Sequence, residues 1–198
     1  MADVTEMIQS LRPVVTELER LGVRYCIGGS VASSLHGASR STMDVDLAAE
    51  LDETTALRLT ETLREDFYVS ETAALEAVRR HSCFNLLHFA TSFKIDIFIS
   101  GGREFDRQVQ DRAIVDTLGE TDSLPVRVVS AEDIVLLKLE WYRLGDAVSE
   151  RQWDDVTRVV KLNDACLDRD YLRRWAGELG VSDLLERVLG EGGNEGEC

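Results

Sequence analysis

The sequence predicts an α/β (α+β) fold in which a small mixed sheet flanked by helices is followed by a C-terminal helical region. Three observations carry this. Short apolar stretches bounded by glycine and polar residues alternate with helix-period segments over residues 1–129. One of them, Met43 to Leu47, alternates apolar and acidic residues, as a strand does when one face packs and the other is open. Beyond that point every apolar pattern is helical. The chain therefore divides into 1–129, a helical region over 130–189, and an acidic tail over 190–198.

The elements follow in order. Met7, Ile8, Leu11, Val14, Val15, Leu18 and Leu21 repeat near 3.6 residues and predict an amphipathic helix stopped by Gly22. Val23 to Ile27 reads as a short buried strand, Gly28-Gly29 as a tight turn, and Ser30 as the N-cap of a helix through Leu35. After the acidic strand come a helix over 53–65, a strand at Tyr68-Val69 and a helix over 71–79. Phe84 to Phe89 and Phe93 to Ile99 form a β-hairpin. A helix over 103–112 and a last strand, Pro125 to Val129, close the region. Ser130 with Asp133 three residues on is a helix start, and further helices follow over 150–162, 168–179 and 181–189. Gly190 to Cys198 has no apolar anchor and is expected to stay disordered.

Hydrophobic residues make up 44% of the 198-residue chain and charged residues 30%, the composition of a globular domain. No apolar stretch approaches the roughly 20 residues of a membrane span, and Glu6, Gln9 and Arg12 interrupt any secretory core, so a cytoplasmic place is expected. Cys26, Cys83, Cys166 and Cys198 lack metal-site spacing and read as small buried hydrophobes. Trp141, Tyr142, Trp153 and Trp175 read as helix-face core. The net charge of −15 disfavours general nucleic-acid binding, although Arg79, Arg80, Arg103 and Arg107 leave room for a local basic groove.

The chemistry concentrates in carboxylates. Asp44 and Asp46 stand at i and i+2 of a strand and point to one face, where they repel unless a cation neutralises them. Asp96 lies inside the apolar strand Phe93 to Phe98, where a lone carboxylate is costly without a partner. Three carboxylates on adjacent strands suit Mg²⁺, and a pair of such ions suits in-line nucleotidyl displacement. Gly28-Gly29-Ser30, at a strand-to-helix turn, offers bare amides and a hydroxyl to phosphate. Lys94 shares the Asp96 strand face and is placed to pair with it or with a phosphate. Arg40 reads either as a phosphate contact or as a structural loop residue.

These residues resemble the nucleotidyltransferase superfamily of the DNA polymerase β type, in which Gly-Gly/Ser-Ser, a spacer and Asp-x-Asp precede a distant third Asp. The string from Gly28 through His36, Gly37, Arg40 and Thr42 to Asp46 looks like the small bacterial branch of abortive-infection and toxin–antitoxin enzymes. The resemblance covers about residues 23–162. It implies a nucleotidyltransferase palm binding a nucleoside triphosphate with two Mg²⁺ ions held by Asp44, Asp46 and Asp96. It also implies an acceptor that is a tRNA end, a small molecule such as an antibiotic, or a protein, and an antitoxin as a possible partner. By the same resemblance Lys138 reaches the triphosphate, the competing reading being a solvated helix lysine. Arg151, Asp154 and Asp155 depart from the branch's Arg–Asp–Asp pattern by an intervening Gln152-Trp153. His36 matches the family's His-Gly element but reads as a packing histidine. The reading from another class is a non-catalytic nucleotide sensor or partner-binding protein on the same fold.

Overall fold

Period-two burial along two short strands sets the architecture. The computed structural model describes residues 4–38, 42, 44–145 and 148–192. In chain order these form α1 (Val4–Arg20), β1 (Tyr25–Ile27), α2 (Gly29–Leu35), β2 (Asp44–Ala49), α3 (Glu53–Leu63), β3 (Phe67–Val69), α4 (Glu71–Arg80) and β4 (Cys83–His88). There follow β5 (Lys94–Ile99), α5 (Glu104–Arg112), β6 (Ile114–Leu118), β7 (Leu124–Val128), α6 (Ala131–Leu144), α7 (Glu150–Asn163), α8 (Arg169–Glu178) and α9 (Ser182–Gly192). This is the mixed α/β class expected. No helix among the described residues is long and apolar enough to cross a membrane.

The chain separates into two compact units. The first, Met1–Gly28 with Ser41–Val128, holds the sheet, in strand order β3-β4-β5-β2-β1-β7-β6. Parallel pairs β2–β5 and β1–β7 lie among antiparallel neighbours, so the sheet is mixed. Val45, Leu47 and Ala49 of β2 and Ile95, Ile97 and Ile99 of β5 are buried, and every residue between them is half-exposed. The buried side of the sheet unit is completed by Ile8, Leu11, Val14, Val15 and Leu18 of α1, at the spacing that predicts that helix. Gly22 then adopts φ +68° and Val23 N–H donates to Leu18 O at 2.9 Å, a left-handed stop that a β-carbon would strain.

Asp52 caps α3 by accepting from Thr55 N–H at 2.7 Å, and Ser70 caps α4 by accepting from Ala73 N–H at 3.2 Å. The expected hairpin is present: β4 and β5 pair antiparallel, closed by His88 N–H to Phe93 O at 2.9 Å. Strand β6 is an addition to the expected elements. It lies at the sheet edge with Ile114 and Val115 exposed, so it is held by backbone pairing to β7 and carries no burial alternation to read.

The second unit, Gly29–Arg40 with Val129–Cys198, contains α2 and α6 to α9. Val31, Ala32 and Ser33 of α2 are buried, and α2 packs against α6 and α7. Ser130 caps α6 by accepting from Asp133 N–H at 3.1 Å, as its spacing implies. Several boundaries shift by a few residues, and two of the shifts bear on named residues. Helix α2 begins at Gly29, which has φ +55°, so Ser30 is inside the helix rather than its N-cap. Helix α9 runs to Gly192, because the buried Leu185, Val188 and Leu189 anchor it past residue 189; the remainder of the tail lies outside the described residues. Trp175 and Tyr142 are buried, whereas Trp141 is 52% exposed, on the outward side of α6. Of the thiols only Cys26 is buried; Cys83 and Cys166 are exposed, and Cys198 lies outside the described residues.

Candidate active site

Strands β2 and β5 run parallel with Asp44 opposite Lys94, Asp46 opposite Asp96 and Ala48 opposite Phe98. Directly opposed residues of paired strands share a face, so Asp44, Asp46, Lys94 and Asp96 stand together on the side away from the buried valine, leucine and isoleucine positions. The apolar residues of the same strands enforce this, since a one-residue slip would bury the carboxylates.

Lys94 and Thr42 engage Asp96 and Asp44. Lys94 Nζ lies 2.7 Å from Asp96 Oδ2, whose side chain is only 15% exposed. Thr42 Oγ1 donates to Asp44 Oδ1 at 2.7 Å. The bond to Asp96, opposed by partial burial and reinforced by the charges of Asp96, Asp44 and Asp46, holds the Lys94 ammonium above the ordinary lysine range. Cys83, on β4, has its thiol pushed up by burial first and by the Asp96 charge second. It is therefore a poor nucleophile at neutral pH.

Gly28 belongs to the same row. Its N–H donates to Asp46 O at 2.8 Å, continuing the β1–β2 ladder one residue past Ile27 opposite Leu47. Its φ is not left-handed, and a β-carbon built on it would meet nothing within 4 Å. Neither a left-handed φ nor crowding among the described residues calls for a glycine there. Asn85 of β4 lies opposite Asp96 and completes a transverse row of Gly28, Asp46, Asp96 and Asn85. Asn85 escapes a reading of residues 84–89 as one apolar run; the alternation of exposed and buried residues along β4 is the signal that finds it.

The donor set consists of carboxylate oxygens on adjacent strands, which fits a hard divalent cation. Among the described residues no group of three or more His, Cys, Asp or Glu side chains is gathered as a metal cage. The Asp96 carboxylate is instead engaged by the Lys94 ammonium.

Of the remaining candidates, Gly29, Ser30 and Lys138 belong to the helical unit. Gly29 and Ser30 open α2, where Ser30 is buried. In the helical unit Lys138 is 8% exposed and its Nζ lies 2.8 Å from Asp155 Oδ2, a buried ion pair between α6 and α7. His36 packs: its Nε2 lies 2.7 Å from Val129 O and its carbonyl accepts from Asn163 Nδ2 at 2.9 Å. Arg40 lies outside the described residues. Arg79 and Arg103 are engaged by Glu53 and Asp106, so neither stands as an unneutralised basic groove.

No protein-family model matches the sequence and no curated protein matches it. Solved structures do. An antigenic nucleotidyltransferase-like protein from Paracoccidioides brasiliensis is 17% identical, with 94% of this chain and 93% of that one covered and a TM-score of 0.55. The antibiotic-resistance factor ANT(2'')-Ia, in its solution structure, is 15% identical over 96% of this chain and all of its own, with a TM-score of 0.59. A crystal structure of ANT(2")-Ia in complex with adenylyl-2"-tobramycin is 12% identical over 88% and 97%, with a TM-score of 0.55. At such identities the likeness is one of architecture, and the architecture that places Asp46 beside Asp96 is the nucleotidyltransferase fold.

Proposed function

We propose that this protein transfers a nucleoside monophosphate from a nucleoside triphosphate to a hydroxyl acceptor, releasing pyrophosphate, with Asp44, Asp46 and Asp96 holding Mg²⁺. The observation that carries the reading is the register of Asp46 with Asp96, with Asp44 two residues earlier on the same face. Bound to these oxygens, a pair of Mg²⁺ ions supplies the positive charge that draws a triphosphate to an acidic face and makes an acceptor hydroxyl easier to ionise. The likeness to ANT(2")-Ia, seen with an adenylylated hydroxyl compound, favours a hydroxyl acceptor.

In the transfer the acceptor oxygen bonds to the α-phosphorus while the bond from that phosphorus to the bridging oxygen breaks. Pyrophosphate leaves with the electron pair. The hydroxyl proton passes to a carboxylate oxygen of Asp96, whose side chain is 15% exposed. Gly28 lets the triphosphate approach the backbone beside Asp46. Lys94 is the built-in counter-ion of Asp96, and its ammonium is placed to turn to a phosphate when the carboxylate is otherwise engaged. Gly29, Ser30, Arg40 and Lys138 stay phosphate-contact candidates on the motif resemblance alone.

A toxin-like role with an antitoxin partner rests on the Gly28-to-Asp46 string. The free, exposed thiols of Cys83 and Cys166 suit a reducing compartment such as the cytoplasm. The test is incubation of the full chain with labelled nucleoside triphosphates, Mg²⁺, and cell RNA, protein and metabolite fractions. Label transferred by wild type and lost in Asp46→Asn and Asp96→Asn supports the reading. Nucleotide binding without pyrophosphate release in any fraction would replace it with a sensor.

A further inference from the structure

Thr42 lies in the string that joins Gly28 to Asp46, two residues before the first carboxylate of β2. It is half-buried and stands outside the strand. Its Oγ1 is 2.7 Å from Asp44 Oδ1 and 3.2 Å from Asp44 O. A hydroxyl donates one proton. The carboxylate oxygen is both the nearer acceptor and the charged one, so the proton goes there, in a charge-assisted bond. The backbone shows why Asp44 gains from it. The β1–β2 ladder runs from Tyr25 opposite Ala49 to Gly28 N–H on Asp46 O at 2.8 Å, and Asp44 lies beyond that end. Its place in the sheet is set by β5, where it opposes Lys94. A carboxylate at a strand end has several staggered χ1 wells open to it unless a partner selects one.

We infer that Thr42 is a positioning residue of the metal site: its hydroxyl holds the Asp44 carboxylate by Oδ1 and leaves Oδ2 for a divalent cation. The inference rests on the metal-dependent transfer reading of this face and adds to it a residue that does not touch the cation. Mg²⁺ takes its oxygen ligands in a near-ideal octahedron, so a carboxylate fixed in advance binds it more tightly than one that must be ordered on binding. The donor's neutrality matters as much as its place. Lys94 brings a full positive charge to Asp96, whereas the Thr42 hydroxyl orients Asp44 and leaves its charge for the cation. The β-branch of threonine restricts χ1 and so limits the directions in which the hydroxyl points. A purely structural threonine acts through that branched shape, which valine keeps. A positioning threonine acts through the hydroxyl, which serine keeps.

The experiment titrates Mn²⁺ into the full chain, followed by water proton relaxation, in wild type, Thr42→Val, Thr42→Ser and Asp46→Asn. Tm is recorded for each, so that affinities are compared between folded chains. Thr42→Val is expected to bind Mn²⁺ about tenfold more weakly than wild type and Thr42→Ser within about threefold of it, as follows from losing or keeping the hydrogen bond behind a metal ligand. Thr42→Val binding Mn²⁺ like wild type overturns the inference, as does Thr42→Ser binding as weakly as Thr42→Val. A Thr42→Val chain that no longer folds also overturns it, since the residue is then structural. If wild type binds Mn²⁺ no more tightly than Asp46→Asn, the metal-dependent reading falls and the positioning role with it. If wild type binds more tightly than Asp46→Asn and the Thr42 variants match wild type, the positioning role alone falls.

Discussion

Asp46 and Asp96 stand one strand spacing apart, and Lys94 Nζ lies 2.7 Å from Asp96 Oδ2. Asp46→Asn, which keeps the side chain's shape, is expected to lower Mn²⁺ affinity at least about tenfold by water proton relaxation with folding intact. A fall in Tm without loss of Mn²⁺ affinity would make Asp46 structural. Gly28→Ala separates ligand approach from folding: open space and an ordinary φ predict an unchanged Tm, with affinity for a fluorescent ATP analogue reduced about tenfold. Lys94 carries a pH signature. Its raised pKa means that the ion pair's stabilisation is full below the ordinary lysine value and is lost as pH rises through the folded one. The three carboxylates were legible in the sequence because strand period two puts i and i+2 on one face. Asn85 was not, because its place beside Asp96 depends on which strand lies next to β5.

Helix α1 is tied to α3 through a carboxylate. Glu17 is 5% exposed, accepts from Arg20 Nη2 at 2.6 Å and from Thr62 Oγ1 at 3.2 Å. The Arg20 bond, opposed by burial and aided by Thr62, holds its pKa below the usual carboxylate range. A depressed carboxylate contributes stability above its unfolded pKa and loses it as pH falls through the folded value. Glu17→Gln is therefore expected to cost about 1 kcal/mol at pH 7, kept small because Arg20 is exposed, with the gap from wild type closing as pH falls through the folded value. Urea midpoints across pH measure this. Helices α6 and α7 are joined by the buried Lys138–Asp155 pair. Asp155→Ala strands an ammonium and is expected to cost about 3 kcal/mol, most of it recovered in Lys138→Met/Asp155→Leu. A double variant as unstable as the single one would contradict this. Most elements were readable from apolar period and caps such as Ser130, since both are local. Edge strand β6 was not: its pairing with β7 leaves Ile114 and Val115 exposed and gives no pattern. Ser30 was misplaced as a cap because the positive φ of Gly29 starts α2 one residue early.

The molecule as a whole combines a sheet unit that carries the acidic face and a helical unit with its own core, in a chain of net charge −15. The fold class was predictable from the switch between mixed and purely helical patterning. That α2 groups with the C-terminal helices was not, because contacts between segments a hundred residues apart leave no mark on local periodicity. Net charge also bears on the proposed reaction, in which bound cations bridge the triphosphate to an acidic face. Added salt should therefore weaken nucleotide affinity far less than removal of the divalent ion by a chelator, which should abolish it. The most direct measurement is pyrophosphate release by the full chain with Mg²⁺, a nucleoside triphosphate, and cell RNA, protein and metabolite fractions in turn, beside Asp46→Asn and Asp96→Asn. Release by wild type, reduced at least about a hundredfold in both variants with folding intact, is the predicted result. Release undiminished in the variants, or nucleotide bound by wild type without release, would contradict it.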